Sequence, residues 1–337
     1  MNVKRWVALV VAVAVVGVSL IFNLFATIVS ADFDQAFDGA GMEESFGEDV
    51  MEQGTDGRIV VIELEGVIQD MGEESPLMAA GYNHQQILDM LDNAMQDQTV
   101  DGIVLEVDSP GGGLIESEEI HDKVVEAQEE YDKTVYASMG GMAASGGYYV
   151  SAPADYISAH PSTLTGSIGV VLSGGLGGLN FSELLEDLGI EDNTVTTGPY
   201  KDILSGTREM EEDEEEMLQE MADEMLDEFV DVIVEGREMP EDEVRDLADG
   251  RIYTGNQALD NGLVDGLGSL DDTVETMQEN LGLEDSQVVR YQADLAGFGS
   301  LFGGAIEQFS GNSNELSELV TALQQESSPR LMYLYEQ

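Results

Sequence analysis

The segment GIVLEVDSPGGG, residues Gly102–Gly113, has the clearest structural pattern in the sequence. Its first half is apolar and rich in β-branched residues, which is typical of a buried strand, and a glycine-rich turn follows at once. Arg58–Ile68 predicts a strand before it, and Thr134–Ser138 predicts a strand after it. Apolar residues at helical spacing between these strands predict helices at Gln85–Met95 and about Ile115–Glu130. This alternation predicts an α/β fold with a parallel sheet and right-handed crossovers.

The remaining pattern predicts further elements of the same layered fold. Strands are expected at Ala154–Ser158, Ser167–Leu172 and near Thr194–Thr196, and helices at Phe181–Leu188, Thr207–Gly236, Pro240–Ala248, Asn256–Asn261 and Leu270–Leu281. On the longest helix an apolar side chain recurs every four residues, at Met217, Met221, Met225 and Phe229. This stripe is expected to pack on the sheet or on a neighbouring subunit. A methionine-lined peptide groove is the alternative.

Composition narrows the class of protein. The chain has 337 residues, with 12 Lys+Arg against 69 Asp+Glu, and a formal net charge of −57. This charge repels phosphate backbones, so nucleic acid is excluded as a partner. A hydrophobic content of 42% is too high for a wholly disordered acidic chain. The absence of cysteine removes a thiol nucleophile and a cysteine zinc site. The acid-rich, lysine-poor composition resembles that of halophilic proteins, since a Debye length of about 3 Å at molar salt screens the self-repulsion.

The N-terminus is predicted to be a membrane anchor. Trp6–Val29 is an apolar run that spans roughly 36 Å as a helix, enough to cross a hydrocarbon core of about 30 Å. Lys4 and Arg5 precede the run and acidic residues follow it. The distribution predicts a single-pass protein of the cell membrane, in contact with lipid, with a cytoplasmic N-terminus and the remainder of the chain extracellular. Cleavage near Ser30 is the alternative.

Four parts are predicted along the chain. Residues 1–30 form a cytoplasmic stub and the transmembrane anchor, 31–57 an acidic flexible linker, 58–290 one catalytic-sized α/β domain, and 291–337 a C-terminal tail. The linker is predicted from its acidic residues and glycines, which favour a self-repelling, extended chain.

Two glycine-rich loops follow predicted strands, which is where ligands bind in open α/β sheets. In Ser109–Gly113, bare backbone N–H groups can stabilise an oxyanion. An ordinary tight turn into a helix is the alternative. In Gly140–Tyr149, small residues surround Ser145 at a predicted helix start. This arrangement suits a nucleophile that needs room for a substrate backbone, and close helix–sheet packing is the alternative.

A serine nucleophile needs a base. His84, His121 and His160 have no metal-ligand spacing, so a histidine metal site is not expected, and only His160 lies near the serine in sequence. Lys201 is the other candidate, because burial favours the neutral amine that a general base requires. A surface lysine paired with Asp202 is the alternative. In the base role, the Asp202 carboxylate is expected to point away from the amine.

Four motifs resemble, in their order and separation, those of the signal peptide peptidase A family of membrane-anchored serine peptidases, which have a ClpP/crotonase-like fold. The motifs are VDSPGGG (Val107–Gly113), SMGGMAASGGYYVS (Ser138–Ser151), STLTGSIGV (Ser162–Val170) and TGPYKD (Thr197–Asp202). The resemblance covers the chain from about Arg58 to Leu283. It implies that 58–290 is a serine peptidase domain with a repeated ββα/βαβ core, and that the chemistry needs no cofactor and no metal.

The resemblance also implies roles for the site residues. Ser145 is the implied nucleophile, Lys201 the general base and later general acid, and Ser167 the serine that orients the lysine. The implied oxyanion and substrate-binding residues are Gly112, Gly113 and Gly146, with the first and last as the oxyanion donors.

The implied activity is endopeptidase cleavage, through an acyl-enzyme, of signal peptides and other short apolar peptides. Since the chain holds one copy of the domain, it resembles the short form of the family. Those members assemble into dome-like homo-oligomeric rings whose dyad can be completed between neighbouring protomers. One alternative is a crotonase-like enzyme acting on an acyl thioester, although the sequence offers no basic cluster to hold its phosphates. The other is a catalytically inactive membrane scaffold.

Overall fold

The computed structural model describes residues 47–70, 82–172 and 179–292. Within these ranges, no helix has both the length and the apolar character needed to cross a membrane. The predicted anchor Trp6–Val29 and the predicted tail beyond Gln292 lie outside the described residues.

The described residues form strands and helices in the order that an α/β fold requires. The strands are β1 Gly47–Glu52, β2 Arg58–Glu65, β3 Gly102–Ser109, β4 Thr134–Ala144, β5 Tyr156–Ala159, β6 Leu164–Gly166, β7 Ile252–Thr254, β8 Gly266–Leu267 and β9 Gln287–Gln292. The helices are α1 His84–Gln96, α2 Leu114–Glu129, α3 Gly146–Ser151, α4 Ser182–Asp187, α5 Glu212–Arg237, α6 Glu241–Leu247, α7 Gly255–Asp260 and α8 Leu270–Leu281.

One sheet contains all of these strands. Its main path runs β1-β9-β2-β3-β4-β5-β8, and β6 pairs with β4 and with β7 beside this path. Strands β2, β3 and β4 are parallel, with Ile59 opposite Gly102 and Gly102 opposite Thr134. The carboxyl ends of these strands therefore meet at one edge of the sheet. The α/β prediction is confirmed, and the finer ClpP/crotonase-like repeat stays a prediction.

Helices cover both faces of the parallel strands. On one face, Ile59, Val61 and Val104 pack with Met277 of α8 in a buried core. Because side chains alternate along a strand, Val60 and Ile62 point to the opposite face, where they are also fully buried. Helices α1 and α2 contact strands β2 and β4. Burial on both sides explains why the central strands are continuous apolar runs.

The structure differs from the sequence predictions at several elements. Residues 47–52 of the predicted flexible linker form β1, which pairs antiparallel with β9. The predicted strand Ser167–Leu172 is absent, and the chain instead pairs as β6 over Leu164–Gly166. No strand forms at Thr194–Thr196. Helix α5 begins at Glu212 rather than Thr207, because Glu211 and Glu214 form a capping box there.

Candidate active site

Ser145 lies where β4 ends and α3 begins, in a backbone conformation that is rare for a residue with a side chain. Its φ is 55° and its ψ is −121°. Its N–H donates to the carbonyl oxygen of Gly166 at 2.8 Å, and its carbonyl oxygen accepts the N–H groups of Tyr148 and Tyr149 at 2.9 Å each. Strain of this kind persists only where the surroundings over-determine it. The backbone of Ser145 is thus fixed from both sides, while its side chain is only half-buried.

The turn after β3 is oriented by hydrogen bonds to Gly111. The N–H of Gly111 donates to the Ser109 hydroxyl at 3.1 Å, and its carbonyl oxygen accepts the N–H of Ile68 at 3.0 Å. In a trans peptide the C=O and the following N–H point in opposite directions. Since the Gly111 carbonyl faces Ile68, the N–H of Gly112 points away from Ile68. A Cβ built on Gly146 would lie 3.2 Å from the Gly112 nitrogen, so this N–H lies beside the start of α3.

Two N–H groups beside Ser145 are available to bind an oxyanion. The N–H groups of Gly112 and Gly146 donate no hydrogen bond to any residue that the structure describes. The N–H of Gly113 donates to the carbonyl oxygen of Ile68 at 2.8 Å, so Gly113 cannot serve as a donor in this conformation. Gly146 is buried, where an N–H group is rarely left without a partner, whereas Gly112 is exposed. An unpaired pair next to a serine hydroxyl is the arrangement of an oxyanion hole.

A cavity of about 590 Å³ contains these groups. Ser145, Gly112, Gly113, Gly146 and Ser167 all line it. Its apolar walls are formed by Leu114, Val170, Val171, Met225, Leu226 and Phe229. The apolar stripe predicted on helix α5 therefore has two environments. Met225 and Phe229 line the cavity, whereas Met221 is 43% exposed.

The electrostatics of the cavity are acidic. Burial, together with the charges of Glu118, Glu228 and Asp122, raises the pKa of Tyr149 to about 12, so its phenol stays neutral. Among the described residues that line the cavity there is no Lys, Arg or His. The described part of the cavity thus offers no cation for the phosphates of a coenzyme A thioester, and no lysine or histidine that could act as the base for Ser145.

Ser167 shares the cavity with Ser145 and is also held in an unusual conformation. Its φ is 51°, and its N–H donates to the carbonyl oxygen of Arg251 at 2.8 Å. The residue before it, Gly166, accepts the N–H of Ser145. Gly166 therefore connects the two serines, since it is hydrogen-bonded to Ser145 and is the residue before Ser167 in the chain.

Within one chain, Lys201 lies outside the cavity that contains Ser145 and Ser167. Its side chain is exposed and does not line the cavity. The hydroxyl of its neighbour Tyr200 donates to Asp213 at 2.8 Å, in the first turn of α5. Met225, which lines the cavity, follows Asp213 by twelve residues, or about 18 Å along a helix. The neighbour of Lys201 is thus held at the N-terminal end of α5, away from the part of the helix that lines the cavity.

Asp202, the sequence neighbour of Lys201, is paired with another residue. The Nε and Nη2 atoms of Arg208 each lie 3.0 Å from a carboxylate oxygen of Asp202. This bidentate contact lowers the pKa of Asp202. Among the described residues Lys201 forms no ion pair, so its pairing with Asp202 is not observed.

Two serine hydroxyls that shape this site are assigned no role by the sequence predictions. Ser109 is fully buried and its hydroxyl orients Gly111. A serine two residues before a glycine is a recognised turn signal, and it was available in the sequence. Ser117 is also buried, and its Oγ donates to the Gly113 carbonyl at 2.8 Å. No sequence pattern singles out Ser117, because its role comes from the packing of α2 against α3.

Comparisons with known proteins show the family to which this chain belongs. Residues 127–284 match the model of peptidase family S49. A putative signal peptide peptidase SppA from Enterococcus faecium is 38% identical over 99% of this chain and 99% of its own length. Protease 4 from Salmonella typhi is 38% identical over 71% of this chain and 37% of its own length. The chloroplastic serine protease SPPA of Arabidopsis thaliana is 30% identical over 55% of this chain and 27% of its own length.

Among solved structures, a mutant of the 1510-N membrane-bound stomatin-specific protease matches 66% of this chain and 84% of its own, with 12% identity and a TM-score of 0.42. The sequences show the family, since one relative is matched over 99% of both chains. The chain is therefore a serine peptidase and belongs to peptidase family S49, the signal peptide peptidase A family.

Proposed function

We propose that this chain cleaves signal peptides and other short apolar peptides through an acyl-enzyme on Ser145, with Lys201 of a neighbouring copy as the general base. The observation that carries the proposal is the half-buried Ser145, held at positive φ beside two N–H groups that have no partner among the described residues. The relative matched from end to end carries the name signal peptide peptidase.

The chemistry follows from these positions. Neutral Lys201 takes the proton of the Ser145 hydroxyl as Oγ attacks the carbonyl carbon of the scissile bond. The N–H groups of Gly112 and Gly146 bind the oxyanion that forms. When the intermediate collapses, the lysine ammonium gives its proton to the leaving amine, and the ester remains on Ser145. Water, deprotonated by the same amine, then hydrolyses the ester. Ser167 accepts a hydrogen bond from the lysine and orients it.

A neighbouring copy is the proposed source of the lysine because the chain's own Lys201 is exposed and does not line the cavity. The segment that carries it has large apolar side chains on its surface: Leu179 is 59% exposed, Leu188 64% and Val195 93%. Helix α4, in the same segment, has no buried residue. An exposed apolar surface of this extent is typical of a subunit interface. Enclosure at that interface favours the neutral amine that a base must be.

The cavity fits an apolar peptide. Met225, Phe229 and Val170 form its walls, and apolar walls bind apolar side chains by excluding water. The anchor predicted at Trp6–Val29 would hold the domain on the outer face of the cell membrane, where membrane-derived peptides are released. The acid-rich composition supports a working environment of high salt.

Two single variants and their mixture test the proposal. Ser145→Ala and Lys201→Ala are each expected to abolish hydrolysis of an apolar peptide in molar salt. When the two inactive variants are denatured together and co-assembled, a site that takes Ser145 from one chain and Lys201 from its neighbour becomes complete. Random assembly of equal amounts should restore about a quarter of the wild-type activity.

Three outcomes would count against the proposal. Full activity in Ser145→Ala would exclude it as the nucleophile, and full activity in Lys201→Ala would exclude that amine as the base. Failure of the mixture to regain activity, with mixed oligomers demonstrated by differential tags, would show that the dyad forms within one chain.

A further inference from the structure

Strand β4 contains a bulge just before the nucleophile. Along the β3–β4 pair, Val107 lies opposite Met139, and the next matched pair is Ser109 opposite Ala143. Strand β3 therefore advances by two residues while β4 advances by four. The residues between, Gly140 to Met142, loop out of the regular ladder, and their backbone groups have no regular partner on β3.

The side chain of Asp108 binds the backbone of this bulge. Its Oδ1 accepts the N–H of Met142 at 3.0 Å, and its Oδ2 accepts the N–H of Gly141 at 3.3 Å. From the other side, the Thr163 hydroxyl donates to the carbonyl oxygen of Gly140 at 2.6 Å. The space is tight, since a Cβ on Gly140 would lie 3.1 Å from the Asp108 carboxylate. Side chains thus replace the missing ladder hydrogen bonds.

The bulge decides which residue of β4 reaches the oxyanion turn. With Ser109 opposite Ala143, residue 145 comes level with Gly111, and a Cβ on Gly111 would indeed lie 2.8 Å from the Ser145 Cβ. In an unbulged register, residue 143 would take that place. Ser145 would then lie two positions, or about 7 Å, farther along the strand. The Gly112 N–H and the Ser145 hydroxyl would no longer share one site.

We propose that Asp108 is a positioning residue for catalysis, which clamps the β4 bulge and thereby sets the place of Ser145 beside the oxyanion turn. The inference rests on the proposed role of Ser145 as nucleophile. Asp108 is exposed and touches no reacting atom, so it acts through the Gly141 and Met142 amides. A carboxylate suits the task because its two oxygens accept two N–H groups at once, whereas an amide offers one oxygen.

The test compares Asp108→Ala and Asp108→Asn with Asp101→Ala in the full assembled chain. Asp101 is a matched control, because it is also exposed and also accepts a backbone N–H, that of Arg58 at 2.8 Å, but at the opposite end of β3. One readout is the rate constant for acylation of Ser145 by a fluorophosphonate probe, with kcat and KM for a peptide. The other is amide hydrogen exchange of a peptic fragment that covers residues 139–145.

Asp108→Ala should slow acylation and lower kcat by about tenfold to a hundredfold, with little change in KM. Asp108→Asn should fall between this variant and the wild type, and Asp101→Ala should match the wild type. Exchange at 139–145 should quicken in Asp108→Ala alone. If Asp108→Ala acylates and exchanges like Asp101→Ala, the proposal is wrong.

The exchange arm separates this proposal from the proposed function. If Ser145→Ala is still labelled by the probe, Ser145 is not the nucleophile, and Asp108 then has no catalytic serine to position. Hydrogen exchange would still report whether Asp108 holds the β4 bulge in place. If Ser145→Ala is unlabelled and Asp108→Ala keeps the full acylation rate, the nucleophile stands and only the positioning role is overturned.

Discussion

Arg208 and Glu214 form a bidentate ion pair at the first turn of α5, with Nη1 of the arginine 2.7 Å from Oε2 of the glutamate. The Glu214 side chain is only 2% exposed, and the same guanidinium also binds Asp202. A cation is needed here because Glu211 to Glu216 is an unbroken run of acidic residues. The pair fixes the segment that carries Lys201 to the start of α5.

Arg208→Gln should reveal this pair through the pH dependence of stability. Arg208 lowers the pKa of both Glu214 and Asp202. A carboxyl whose pKa is lowered by folding stabilises the fold above its unfolded-state pKa, about 4, and this stability is lost as pH falls through the lower folded-state value. The variant should therefore have a lower Tm than the wild type at pH 7. This difference in Tm should narrow between pH 5 and pH 3 when the salt concentration is held constant.

Arg245→Gln is the control for this experiment. Arg245 pairs with Asp227 and Glu241 on an exposed surface, where ion pairs contribute little. Its Tm should stay close to that of the wild type at every pH. A gap between wild type and Arg208→Gln that stays constant on acidification would contradict the role of the pair.

Gly111→Ala should inactivate the enzyme without unfolding it. A Cβ at this position would lie 2.7 Å from the Gly146 nitrogen, 2.8 Å from the Ser145 Cβ and 2.9 Å from the Ala144 carbonyl oxygen. Since these atoms are backbone or nucleophile, relief of the clash must move the site, and a shift of about 1 Å costs about a hundredfold in rate. The measurement is kcat/KM together with Tm.

Gly282→Ala is the control that distinguishes the steric clash at position 111 from the strain of a positive φ. Gly282 also has a positive φ, +71°, but a Cβ there meets nothing within 4 Å. The variant should lose roughly 1–2 kcal/mol of stability from the left-handed conformation alone and keep its kcat/KM. Equal losses of activity in the two glycine variants would show that strain, rather than contact with Ser145, limits position 111.

Much of the fold could be predicted from the sequence because the central strands are buried on both faces. Such strands are continuous apolar runs, and β2, β3 and β4 were recognised for that reason. Strand β1 could not be found in this way, because it is an edge strand whose side chains are almost all exposed. Its place depends on hydrogen bonds to β9, which leave no pattern in its own residues.

The site could be predicted only in part, for a similar reason. Glycine-rich loops at the strand ends pointed to Ser145 and to the SPGGG turn. Whether Gly112 or Gly113 can donate to an oxyanion depends on which of the two N–H groups is already bound to Ile68. The amino-acid sequence of the turn does not reveal that hydrogen bond. The predicted strand after Gly166 failed because Gly166 and Ser167 both have positive φ, which ends the ladder.

Gly146→Ala should weaken the oxyanion hole, and Ser117→Ala should partly restore it. A Cβ on Gly146 would lie 2.5 Å from the Ser117 Oγ and 3.2 Å from the Gly112 nitrogen. The single glycine variant should lose about a hundredfold in kcat, the scale of one oxyanion donor. Removal of the Ser117 hydroxyl opens the nearer contact, so the double variant should be more active than Gly146→Ala.

A double-mutant cycle on kcat measures this rescue. Ser117→Ala alone should have a modest effect, since it removes only the hydrogen bond to the Gly113 carbonyl. Strictly additive losses would mean that the hydroxyl is not the contact that limits position 146.

Met225→Ala should change which peptides the enzyme prefers. Met225 lines the cavity that contains Ser145, so truncation enlarges the pocket by most of a side chain. The kcat/KM for a peptide with Phe at the cleaved bond should rise relative to that for its Ala counterpart by about tenfold, because a pocket distinguishes apolar groups by roughly 1–3 kcal/mol per methylene. Met221→Ala is the matched control, since Met221 lies one helical turn earlier, is 43% exposed and does not line the cavity. An equal change of preference in both variants would show that the Met225 side chain does not contact the substrate, and that the stripe on α5 acts only in packing.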